Sequence, residues 1–176
     1  MPNWCTNEIE ITTNNLDQLK QFLSDMGWTE EEYNTFSFDK ILPIPDELKN
    51  KSWAPMTEAE MRENAIKYNW TDEQLEVNLP NALTPEEAAI RAKHKEQYGA
   101  DNWYDWCIKN WGTKWEPTDI YCDDWSFDFD WSYISFSFET AWGPPESWVE
   151  YVNQKYPDLS FDWFYKEPGT RIAGWL

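Results

Sequence analysis

The chain has one histidine and three cysteines, Cys5, Cys107 and Cys122, which lie far apart and form no CxxC pair. That leaves no zinc site of standard ligand spacing. Scattered cysteines in odd number also point away from a disulfide framework and towards reduced thiols in a cytoplasm. Bases are scarce too: 14 Lys and Arg stand against 33 Asp and Glu, a net charge of −19. Such a chain repels phosphates and anionic membranes, so a basic partner is expected, and neither nucleic acid nor membrane. No apolar run reaches the length of a membrane span. The opening Met1-Pro2-Asn3-Trp4 lacks a basic stretch followed by an apolar one, so no secretory signal is expected.

Aromatic residues are what the chain has in excess, at 18% of its 176 residues. Acidic disordered segments have few aromatics, so this is a folded chain, and its length fits a single domain spanning 1–176. Seven of the fourteen tryptophans fall between Trp103 and Pro145. Indole is the largest side chain, so a segment this dense in it is packed in a core, stacked on a ligand, or both.

Local patterns give an order of elements. Cys5, Asn7, Ile9 and Ile11 alternate with Glu8 and Glu10, the mark of a strand buried on one side. Asn14 or Asn15 caps a helix whose apolar stripe is Leu16, Leu19, Phe22, Leu23 and Met26, and Gly27 ends it. Phe36 to Leu42 reads as a second strand stopped by prolines. Residues 46 to 110 read as a helical insertion, with helix starts at Thr57, Thr71 and Thr84-Pro85-Glu86-Glu87. It is expected to pack through Trp53, Tyr68 and Trp70. It holds thirteen acids and eight bases, −5, so −14 falls on the remaining framework.

Strand patterns then return. Ile120 and Cys122 start one. Trp125, Phe127, Phe129 and Trp131 alternate with polar residues and lead into Ile134, Phe136 and Phe138, as a hairpin or a long bulged strand. Pro144-Pro145-Glu146 opens a helix with Trp148, Val149 and Val152 inward. A strand from Leu159 to Tyr165 follows, and the turn Glu167-Pro168-Gly169-Thr170 returns Ile172 to Leu176 as an extra edge strand. This order predicts an α+β fold, a ferredoxin-like sandwich. Strands near 5–12, 36–42, 133–141 and 159–165 form one antiparallel sheet, and helices at 15–26 and 145–156 cover one face.

Several phrases recur together in one known family. They are Met1-Pro2-Asn3-Trp4-Cys5-Thr6-Asn7, Tyr104-Asp105-Trp106-Cys107, Asn110-Trp111-Gly112-Thr113-Lys114-Trp115, Thr140-Ala141-Trp142-Gly143-Pro144-Pro145 and Tyr165-Lys166-Glu167-Pro168-Gly169. In these the chain resembles the YubB-type ferredoxin-like proteins of phages and conjugative plasmids. The resemblance implies a mobile-element origin and a ferredoxin-like core, and it brings no catalytic residues.

Two groups of residues are candidate sites. Asp119, Asp123, Asp124, Asp128 and Asp130 form the densest acidic cluster. Two positions along a strand separate side chains by roughly 6.6 Å, too far for one small ion, so no metal is expected there. A similar spacing separates neighbouring phosphates on a DNA strand. This cluster is therefore read as the contact with a basic host protein, one that handles nucleic acid or serves in defence, inhibited by DNA mimicry. The second group is Trp111, Lys114, Trp115 and Trp142. There Trp111 and Trp115 either stack a planar ligand beside Lys114 or are both core. His94 sits among Arg91, Lys93 and Lys95 with no nucleophile phrase nearby, so catalysis is not the expected activity and no cofactor is implied.

Overall fold

A computed structural model describes residues 3–28, 35–50, 56–122 and 133–176. The chain divides into two compact units, one of residues 1–44 and 107–176 and the other of Pro45–Trp106.

The first unit is built on a five-stranded antiparallel sheet. β1 (Trp4–Thr13) buries Cys5, Asn7, Ile9, Ile11 and Thr13 and exposes Glu8, Glu10 and Thr12. α1 (Leu16–Asp25) starts where the Asn15 side chain accepts the Gln18 N–H, and its buried stripe is Leu19, Phe22 and Leu23. β2 (Thr118–Tyr121) is short and joins β3 (Tyr133–Ala141) across an irregularity in register. α8 (Glu146–Lys155) buries Trp148, Val149 and Val152. β4 (Leu159–Glu167) and β5 (Ile172–Trp175) form the closing hairpin. The strand order is β2-β3-β1-β4-β5. With β5 set aside, this is the βαββαβ arrangement of the ferredoxin-like sandwich.

Both long helices cover the same face. Phe22 of α1 lies edge-on to Phe161 at 5.5 Å, and Trp148 of α8 lies 6.2 Å from Trp163. Phe161 and Trp163 stand opposite Ile11 and Ile9 of β1, on its buried side. The core is a mesh of rings, with Phe36, Phe38, Phe138, Trp111 and Trp148 in mutual contact. Each fully buried aromatic of this kind contributes roughly 2–3 kcal/mol through removal from water.

One expected strand is absent. The segment 36–42 forms a single helical turn, α2 (Phe38–Ile41), and the sheet position is taken by β2 instead. Ser37 caps that turn through the Lys40 N–H, and the Glu116 carboxylate accepts the N–H groups of Phe38 and Asp39 at 2.7 and 2.9 Å. Those bonds favour helical backbone over a ladder.

The second unit is helical: α3 (Asp46–Lys49), α4 (Glu58–Lys67), α5 (Asp72–Asn78), a 3-10 turn at Leu79–Asn81, and α6 (Pro85–Tyr98), with α7 (Trp103–Asn110) following. Thr57, Thr71 and Thr84 each close a capping box, with Glu60, Gln74 and Glu87. Arg91 draws α4 and α6 together through Glu60 at 2.7 Å and Asp101 at 2.6 Å. Trp53 lies outside the described residues, and Tyr68, expected as a packing residue, is exposed. It sits at the C-terminal end of α4, beyond the buried pair Met61 and Ala65. No described helix is long and apolar enough to cross a membrane.

Candidate functional site

Among the described residues neither α1 nor α8 covers the other face of the sheet, where Glu8, Glu10, Ser160 and Asp162 are exposed, and the strand register decides what is displayed there. Residues directly opposite on neighbouring strands share a face. Trp175 pairs with Phe164, Phe164 with Glu8, Glu8 with Ser137, and Ser137 with Tyr121. One row thus crosses all five strands, with an aromatic group at each end. The adjacent row runs Asp162, Glu10, Ser135. Together the rows line a cleft of about 290 Å³.

The rings at the β5 end are in contact, Phe164 and Trp175 having centroids 5.1 Å apart. Trp175 is 70% exposed and Tyr121 62% exposed. Charge on the face is mostly negative. Glu8 is paired with Lys166 at 2.6 Å, and Glu139 accepts the Thr6 hydroxyl. Glu10 and Asp162 stand opposite each other across β1 and β4, and neither is paired among the described residues. Like charges placed directly opposite on neighbouring strands disfavour the pairing.

Of the expected acidic cluster, one member lies within the described residues. Asp119 is exposed on β2, with its backbone at φ +48°. Asp123, Asp124, Asp128 and Asp130 lie outside the described residues, as do Trp125, Phe127, Phe129 and Trp131.

The tryptophan group separates. Trp111 is a core residue: it is buried and donates its ring N–H to the Leu42 carbonyl at 3.0 Å. It therefore takes no part in a surface site. Trp115 and Trp142 are exposed, joined by Trp4, whose ring lies 6.2 Å from Trp115. The Lys114 ammonium sits 3.7 Å from the Trp115 ring centre and 5.6 Å from that of Trp142. The chain's own cation thus occupies the slot between these indoles. Trp142 adopts φ +76°, an uncommon conformation for a bulky residue. Gly112, at φ +84°, is required for a different reason: a Cβ there would lie 2.9 Å from the Glu146 backbone nitrogen, at the start of α8.

The phrases quoted above mostly build structure. Asn7 is fully buried, donates to Thr140 Oγ1 at 2.8 Å and accepts the Trp163 indole N–H at 3.1 Å. Thr113 donates to the Ala141 carbonyl at 3.0 Å. The Glu167 carboxylate accepts the Thr170 hydroxyl and the N–H groups of Thr170 and Gly169, and these bonds hold its pKa below that of an ordinary carboxyl group.

The buried thiols are poor nucleophiles. Burial pushes Cys5 up to about 11 and Cys107 up to about 12, so both are protonated at neutral pH. Among the described residues no three His, Cys, Asp or Glu side chains converge on a metal position.

No protein-family model matches the chain, and no curated protein does. Among solved structures, it is similar to the crystal structure of protein api92 from Yersinia pseudotuberculosis, of the DUF1281 family. The TM-score is 0.47 at 10% sequence identity, over 99% of this chain and 93% of that one.

Proposed function

We propose that the chain is a binding module, not an enzyme, that takes a basic protein partner on the open face of its sheet. One observation carries this reading: Glu10 and Asp162 are opposed, and without a partner among the described residues, within an aromatic-walled cleft, on a chain of net charge −19. A basic surface relieves that repulsion and is steered towards it by the surrounding charge. Asp119, exposed on β2, adds to the negative charge of the same unit.

The finer form of the proposal is an accessory protein of a phage or plasmid. In a host cytoplasm it would inhibit a nucleic-acid-handling or defence protein by presenting carboxylates where that protein expects phosphates. The resemblance to YubB-type proteins and the acidic excess support it. A small-ligand site at Lys114, Trp115 and Trp142 is the second reading. The strained backbone of Trp142 favours it, and the internal lysine already seated between the indoles weighs against it.

The test is a titration with a basic peptide rich in Lys and Arg, at low and at physiological ionic strength. Binding should weaken steeply with salt and fall in a Glu10→Gln/Asp162→Asn variant. A parent that does not bind, or a variant that binds as the parent does, contradicts the proposal.

A further inference from the structure

We infer that the open-face cleft receives the guanidinium group of an arginine carried by the basic partner, an inference that rests on the preceding reading of that face. The size of the cleft sets the scale. At about 290 Å³ it is at the lower limit for a drug-sized ligand and suits one side chain.

The lining then chooses among cations. Glu10 and Asp162 offer carboxylate oxygens with no partner among the described residues, and Ser135 stands beside Glu10 in the same row. A hard metal ion needs six or more oxygen ligands and gains nothing from rings. Two carboxylates fall short of that, and the Phe164–Trp175 wall would be idle. An ammonium group is a compact, strongly hydrated point charge that also makes little use of a flat wall. A guanidinium group uses both parts: its planar face stacks on an indole, and its fork of N–H donors matches carboxylates. Trp175 is the ring best placed for this. It is held against Phe164 at 5.1 Å, faces solvent, and lies one row from Asp162.

The experiment compares peptides matched in length and charge whose cations are all arginine, all lysine or all trimethyllysine, with binding read by fluorescence anisotropy at physiological ionic strength. The parent should bind the arginine peptide about tenfold more tightly than the lysine peptide. Trp175→Ala should remove that preference, and Trp175→Phe should retain part of it. Glu10→Gln/Asp162→Asn should weaken all three peptides. Equal affinity for arginine and lysine in the parent overturns the inference, as does an arginine preference that survives Trp175→Ala. If the carboxylate variant still weakens binding in those cases, the basic-partner reading stands and only the arginine assignment falls. Tightest binding of trimethyllysine overturns it in favour of an aromatic cage for quaternary ammonium. If the Trp175→Ala variant does not fold, the arginine-to-lysine ratio of the parent decides alone.

Discussion

Asp162 stands directly opposite Glu10 across the β1–β4 ladder, two carboxylates side by side on the solvent face. Under the proposed function, this pair serves a basic partner at some cost to the stability of the free protein. Glu10→Gln should therefore raise the unfolding free energy, by about 0.2–1 kcal/mol at low salt and by less at high salt. Urea denaturation at two ionic strengths checks this. A variant less stable than the parent would show that the carboxylate has a stabilising partner.

On the opposite face, Asn7 joins three strands. It donates to the Cys5 carbonyl and to Thr140, and it accepts the indole N–H of Trp163. Asn7→Ala leaves a buried N–H and a buried hydroxyl without this partner, each at a cost of about 1–3 kcal/mol. The expected result is a loss of roughly 2–4 kcal/mol in denaturant unfolding, enough to unfold a marginal domain. A loss below about 0.5 kcal/mol would mean that the network is dispensable.

Acid should act on the helical unit through Arg91. The Thr57 N–H is the main cause that lowers the Glu60 carboxyl, with burial opposing and Arg91 adding to it. Burial raises Asp101, but bonds from Arg91, Asn102 and Lys95 outweigh it and lower that carboxyl also. Both groups are thus more acidic folded than unfolded. Their contribution is complete above the ordinary carboxylate range, near pH 4, and is lost as the pH falls through the depressed folded values. Far-ultraviolet circular dichroism against pH should show helix loss at acid pH, beginning at higher pH in Arg91→Ala. Coincident curves for the parent and Arg91→Ala would count against the linkage.

Where signals were local, the sequence was readable. Asn15 before an apolar stripe marked α1, the three threonine capping boxes marked α4, α5 and α6, and the Glu167 turn marked the β4–β5 hairpin. The segment 36–42 misled because Phe36 and Phe38 alternate as a strand would, while the carboxylate that caps the turn comes from Glu116, far along the chain. A strand was expected at Ile120 and Cys122, but its place beside β3 in the sheet was not, because four residues with a register irregularity carry almost no periodicity.

The cleft was half visible. Glu8 and Glu10 could be placed on the outward face from the alternation in β1. That Asp162 and Trp175 join them follows only from the pairing register, which no single segment encodes. The outward positions of β4, Asp162 and Phe164, were the one available signal. Trp111 was read with Trp115 because they are close in the chain. The structure separates them, since the Trp111 ring N–H has a backbone acceptor, Leu42, inside the core.

The central claim is that the open face, and not the exposed indole group at Trp4, Trp115 and Trp142, receives a basic partner. Amide and indole NMR spectra of the labelled protein, titrated with an arginine-rich peptide, test it most directly. The account predicts shifts at the Trp175 indole N–H and at the Glu8, Glu10, Ser135 and Asp162 amides, with the Trp115 and Trp142 indole signals unmoved. Shifts confined to Trp4, Lys114, Trp115 and Trp142, with Trp175 unmoved, would contradict it.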